Sequence, residues 1–208
     1  MNLRCLLICC LMPLLVWANP GDEAANRGIQ ASQMGNYEMA VKELNRSLDS
    51  GVSKYEVAQL WTLLGNSYDR LGRYGEAVEA HRRALKLAPD SHQAWTNLGV
   101  VYRHQQDYEK AEQCYRRSLE LEPNHAETHS SLGILYLFRK LPKKAEASLR
   151  KAIELSPDLA PAHANLALAL AMQGRHDEAE ESRQKAVALG YPYGEQVRKK
   201  LEELKSPR

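Results

Sequence analysis

The residues able to do chemistry are few and scattered. His125 and His129 stand four apart, which on a helix puts both imidazoles on one face and would let them share a divalent metal. His129, however, occupies the place that Trp61 and Trp95 hold in a periodic pattern, and His163 does the same, so both read as packing residues. Cys114 lies in a helical stretch beside Tyr115 with no base to activate it, which reads as a structural thiol rather than a nucleophile. Glu178 and Glu181 form an acid pair on a charged surface, where solvation is the ordinary role. The chain holds no HExxH motif, no paired CxxC and no glycine-rich phosphate loop after a strand pattern. These residues predict no catalytic constellation, no cofactor and no metal site, hence a protein that is not an enzyme.

The elements that must position any site repeat with a fixed period. Trp61, Leu64, Gly65 and Tyr68 are followed by Ala77 and Pro89, and 34 residues further on the same pattern gives Trp95, Leu98, Gly99, Tyr102, Ala111 and Pro123. A third copy reads His129, Leu132, Gly133, Tyr136, Ala145 and Pro157; a fourth reads His163, Leu166, Ala167, Leu170 and Ala179, with Pro192 displaced by one. Leu64, Gly65 and Tyr68 share a helix face, and the small residue lets a neighbouring helix approach closely. Across a turn at Leu71 to Gly75, Ala77 starts a second helix with Ala80, Ala84 and Leu87 at helical spacing, and Pro89 ends it. One hairpin cannot bury both faces, so the hairpins must stack into a solenoid held by nearest-neighbour contacts.

Period and signature positions resemble the tetratricopeptide repeat, a helix–turn–helix unit. The resemblance implies an all-α superhelix of stacked antiparallel hairpins. Repeats are expected at 58–91, 92–125, 126–159 and 160–193, with a degenerate one at 21–57 in which Gly35 to Ala40 matches Gly72 to Ala77. The step from Tyr37 to Tyr74 exceeds the period by three residues, so a loop is expected around Gly51 to Tyr55. In the last segment, 194–208, Val197, Leu201 and Leu204 make one apolar stripe backed by charge, the pattern of a capping helix before a frayed tail.

The resemblance further implies that the first helices line a concave groove and that their non-signature positions meet a partner. In the first two regular repeats these include Thr62, Asn66, Asp69 and Arg70, then Thr96, Asn97, Arg103 and His104, and they are polar. In the next two they include Ser130, Ile134, Leu137 and Phe138, then Ala164, Asn165, Leu168, Ala171 and Met172, and they turn apolar. The amides of Asn66, Asn97 and Asn165 both donate and accept, which suits an extended backbone of any sequence, while Ile134, Phe138, Leu168 and Met172 would take an apolar side chain. A two-carboxylate clamp known in relatives is incomplete: Asn66 and Asn97 match, but Thr62, Glu127 and Ser131 stand where cations are required. Asn26, Asn97 and Asn165 are more similar to an asparagine ladder, interrupted by Leu63 and Ser131.

Arg4, an apolar run from Cys5 to Val16 and the small residue Ala18 read as a transport signal, 1–18, cleaved before Asn19. The run is too short to span a bilayer comfortably, so a periplasmic or secreted protein without a stable membrane span is expected. Lipid attachment near Cys9 and Cys10 is the lesser alternative, because the residue before the acceptor is not small. Only Cys114 survives cleavage, which leaves no internal disulfide. With a formal charge of +2 and interspersed signs, no nucleic-acid surface is indicated. The expected function is an adaptor that binds a protein or peptide segment in an envelope assembly or secretion process; the alternative is a structural subunit that forms an oligomer through its terminal helices.

Overall fold

The computed structural model describes residues 19–205, so the transport signal read in 1–18 and the tail at 206–208 lie outside the described residues. Among the described residues eleven helices follow one another, the first ten as five hairpins. These pair α1 (Pro20–Gln33) with α2 (Tyr37–Ser50), α3 (Val57–Arg70) with α4 (Tyr74–Leu87), and α5 (His92–His104) with α6 (Tyr108–Leu121). They continue with α7 (Ala126–Phe138) and α8 (Pro142–Leu155), α9 (Ala160–Ala171) and α10 (His176–Ala188), and end in α11 (Gly194–Lys205), which packs on α9 and α10. Among the described residues there is no strand, and no helix is long and apolar enough to cross a membrane.

Each hairpin is closed by the small signature residue of its first helix. A Cβ at Gly65, Gly99 or Gly133 would lie 2.7, 2.6 or 2.5 Å from His81, Tyr115 or Leu149, in each case the residue 16 positions on. Gly28 faces Leu44 in the same way. In the last hairpin Ala167 takes the glycine's place, and the residue 16 on is Arg183. The second helices begin three residues before the signature alanines, at Tyr74, Tyr108, Pro142 and His176. The buried stripe of α4 is Ala77, Ala80, His81, Ala84 and Leu85. Leu87, expected on that stripe, is instead 57% exposed, because it sits at the stripe's edge in the last turn, where no neighbour covers it.

The turns inside the hairpins share one geometry. Arg73 N–H donates to the Tyr68 carbonyl at 2.9 Å and Gly72 N–H to that of Asp69 at 2.9 Å, the paired bonds of a Schellman cap around a residue with φ 71°. Gly174 repeats it at φ 77°, whereas Gln106 (φ 62°) and Lys140 (φ 56°) hold the left-handed position with side chains, at a cost of about 1 kcal/mol each. Between hairpins, Trp95 Nε1 donates to the Pro89 carbonyl at 2.9 Å, and His129 and His163 place Nε2 2.9 Å from the carbonyls of Pro123 and Pro157. The imidazoles thus replace the indole N–H six residues after a helix-ending proline. The longer link from Gly51 to Glu56 is gathered by buried Asp22, which accepts from Ser53 N–H (2.9 Å), Ser53 Oγ (2.6 Å) and Lys54 N–H (3.1 Å). Those bonds hold its carboxyl below the usual range.

An ionic clamp ties the third and fourth regular hairpins together. Glu146 on α8 accepts two bonds from Arg175 (2.7 and 2.8 Å), one from Arg150 (2.9 Å) and one from Gln173 (2.8 Å). Burial opposes ionisation, but these donors outweigh it and bring the carboxyl down to about 2. Its folded value lies below the unfolded one, so the stabilisation is complete above about pH 4.5 and lost as pH falls toward 2. Glu112 repeats the clamp one hairpin earlier with Arg116, Arg139 and Tyr136. Replacing Glu146 by Ala should cost about 2 kcal/mol in urea unfolding at pH 7 and a fraction of that at pH 3, where the wild type has begun to lose the clamp.

Candidate peptide-binding groove

The groove is lined by the first helix of each hairpin and closed at one end by α11. At that end Ile134, Leu137 and Phe138 from α7 meet Asn165, Leu168 and Met172, the last at the C-cap of α9, around a cavity of about 600 Å³. Lys140, Lys200 and Leu204 complete the wall. The repeat pattern locates the first two groups and misses the third. The apolar stripe of α11 predicts only a cap, and the helix does bury Val197 and Leu201, yet the last member of that stripe, Leu204, and the adjoining Lys200 line the cavity. Phe138 is 56% exposed at the mouth of the cavity.

Several residues expected on the groove face are not there. Thr96 and Ser130 are buried, as are Ala164 and Ala171. Thr96 Oγ1 lies 2.8 Å from Ser118 Oγ and 2.6 Å from Thr128 Oγ1, and His125 Nδ1 lies 2.7 Å from Thr128, so a hydroxyl cluster joins α5, α6 and α7. At 100° per residue these positions turn toward the adjoining hairpins rather than the open face. His125 and His129 are committed to Thr128 and to the Pro123 carbonyl, so the structure does not bring the pair together; among the described residues no three His, Cys, Asp or Glu side chains cluster as metal ligands would. Cys114 is buried, which pushes its thiol up to about 12, and it is unpaired.

The polar half of the groove is more committed than its composition suggests. His104 Nδ1 lies 2.7 Å from Asp69 Oδ1, and its Nε2 accepts from Arg103 at 3.1 Å, which fixes the Nδ1–H tautomer. The Arg103 guanidinium lies 5.5 Å from the Phe138 ring centroid, and Tyr108 stacks on the same ring at 6.3 Å. Arg103 and His104 therefore form a strut across three hairpins and hold Phe138 at the groove's edge. Arg70 donates to the Tyr37 hydroxyl at 3.2 Å, toward the first hairpin. Asn97 accepts from Gln93 at 3.1 Å and keeps its NH₂ free to donate, whereas Asn165 donates to the Pro161 carbonyl at 2.8 Å and keeps its oxygen free to accept. Asn66 is half-buried on α3, and Asn26 is taken by the Tyr55 hydroxyl. The arrangement offers a donor at Asn97 on α5 and, further along, an apolar pocket with the Asn165 acceptor in its wall.

Stacked helix hairpins with close-packed small residues and a concave face define an α-solenoid. Tetratricopeptide-repeat family models match residues 58–101, 90–158 and 148–181, and the chain accordingly carries tetratricopeptide repeats. Similar solved structures include MamA, at 20% identity over 85% of this chain and 95% of that one, with a TM-score of 0.65. A thermophilic tetratricopeptide-repeat protein of Thermus thermophilus is 22% identical over 88% of this chain and 98% of that one, with a TM-score of 0.71. BtubC from P. vanneervenii is 20% identical over 81% of this chain and 78% of that one, with a TM-score of 0.68. At these identities the likeness is one of fold. Among curated proteins no match was found.

Proposed function

We propose that the protein is a non-enzymatic adaptor that holds an extended protein segment in its concave groove, with the apolar end of the groove taking an anchoring side chain. The observation that carries this reading is the cavity of about 600 Å³ in which Ile134, Phe138, Leu168 and Met172 converge beside the free oxygen of Asn165. A volume in this range suits one large side chain and its neighbours. The unpaired NH₂ of Asn97 and oxygen of Asn165 would bond the segment's backbone, and Lys140 and Lys200 at the rim favour an acidic residue or a terminal carboxylate next to the anchor.

Peptides selected from a displayed random library on the folded protein should share one large apolar residue. Phe138→Glu and Met172→Glu should each weaken the selected peptide at least tenfold, by placing a carboxylate where an apolar side chain is buried, while circular dichroism stays unchanged. Binding undiminished in both variants overturns the groove reading. Export rests on the sequence of the first 18 residues, with service in an envelope assembly or secretion process as its setting; N-terminal sequencing of protein recovered from its native compartment should begin at Asn19, and a retained Met1 contradicts it.

A further inference from the structure

A second concavity lies on the opposite, convex face, between α4 and α6 and floored by α5. It measures about 620 Å³; Leu85, Leu98, Trp95 and Tyr102 form its apolar and aromatic base. Its rim carries Arg82, Lys86, Lys110 and Arg117, and no carboxylate lines it. Lys110 and Arg117 have partners outside the cavity, Asp107 at 2.6 Å and Glu120 at 2.9 Å. Arg82 donates to the Tyr102 hydroxyl at 2.9 Å, and among the described residues neither it nor Lys86 is paired with a carboxylate.

The repeat supplies its own controls. Positions 68 residues on line a second crevice of the same kind, between α8 and α10, which holds about 440 Å³ and is lined by Arg150, Lys185, Glu154 and Glu181. There Glu154 stands for Lys86 and Glu181 for Gln113. The boundary between those two has Glu120 in place of Lys86, and the one before the cationic crevice has Glu76 and Glu79 in place of Lys110 and Gln113. The crevice 68 residues on is built from the equivalent helices yet carries two glutamates, so packing does not account for cations alone at the first.

We infer that this convex crevice is a second docking site, for an acidic segment of a protein partner that carries an apolar or aromatic residue between its carboxylates. Lys110 and Arg117 stand seven residues apart on α6, about 10 Å of helix, which is further than one carboxylate or phosphate reaches and matches carboxylates about three residues apart on an extended chain. The aromatic base takes the intervening side chain. A nucleic acid would need the cationic track to continue, and the neighbouring crevices interrupt it with glutamates. Because this site and the concave groove lie on opposite faces, one molecule could join two partners.

The test is fluorescence anisotropy of a short labelled peptide with Phe between two acidic pairs, added to the full chain at low ionic strength. Lys86→Glu and Arg117→Gln, both at exposed positions and checked for an unchanged circular dichroism spectrum, should each weaken binding about tenfold, and Lys185→Glu in the equivalent crevice should change it less than twofold. Glu154→Lys with Glu181→Gln should create a second equivalent site. Absence of binding, equal loss in Lys185→Glu, competition by inorganic phosphate as effective as by the unlabelled peptide, or tighter capture of an RNA oligonucleotide each overturns the proposal. Phe138→Glu should leave this binding intact even where it abolishes binding in the groove, so the two readings fail separately.

Discussion

Acidification from pH 7 to about pH 4 should cost this fold about 3 kcal/mol through one residue, His81. Its imidazole is fully buried against Gly65, neither ring nitrogen has a hydrogen-bond partner, and burial lowers its pKa from 6.5 to about 4. The folded value lies below the unfolded one, so the unfolded chain binds the extra proton between these limits. Stability is therefore full above about pH 6.5 and falls by about 1.4 kcal/mol per unit as pH drops toward 4. Burial lowers His125 as well, which adds a smaller effect of the same sign. Most depressed carboxylates, Glu146 among them, act below this window. His81→Leu puts at this place the side chain that Leu44 and Leu149 supply in other hairpins, and it removes two unpartnered nitrogens. The variant should be more stable at pH 7 by about 1 kcal/mol and nearly flat from pH 7 to 5 in urea unfolding. A wild-type curve that is flat over this range, or an equally steep one in the variant, refutes the assignment.

The second large effect is expected where Gly133 meets Leu149. Leu149→Ala empties a fully buried site and should cost about 3 kcal/mol. Gly133→Ala gains about 1 kcal/mol of helix propensity but drives a Cβ to 2.5 Å from Leu149 Cγ, for a net loss of about 1 kcal/mol. Combined, the new methyl occupies part of the emptied space, so the double variant should be less damaged than the sum by 1–2 kcal/mol, roughly. Additive losses would show that the two residues do not set the hairpin's closeness. The pair matters for function because Gly133 lies one residue before Ile134, so a hairpin forced apart displaces the cavity wall.

Much of this was legible in the chain because the repeat writes the same instruction several times. Trp61 and Trp95 fix the register, the proline six residues before Trp95, His129 and His163 marks the carbonyl each ring will meet, and 3.6-residue periodicity then projects Ile134, Phe138, Leu168 and Met172 to one end. What periodicity does not carry is which neighbour covers a residue. Thr96 and Ser130 lie on the first helices yet turn into the stack, and Leu87 keeps the spacing yet lies bare. Lys200 and Leu204 reach the cavity only because α11 folds back on α9, a tertiary event without a local signal. The strut from Asp69 through His104 and Arg103 to Phe138 spans residues 35 apart or more, which no local pattern signals.

The central claim, that the apolar end of the concave groove seats a partner's side chain, is open to one direct reading by methyl NMR. Ile134 lines the groove cavity, Ile153 lines a convex crevice, Met172 lies in the groove, and Met34 and Met39 are exposed on the first hairpin. On titration with a library-selected peptide, the Ile134 and Met172 methyl resonances should move together and saturate, with Ile153, Met34 and Met39 unmoved. Saturating shifts at Ile153 with Ile134 and Met172 silent would contradict the account and place binding on the other face.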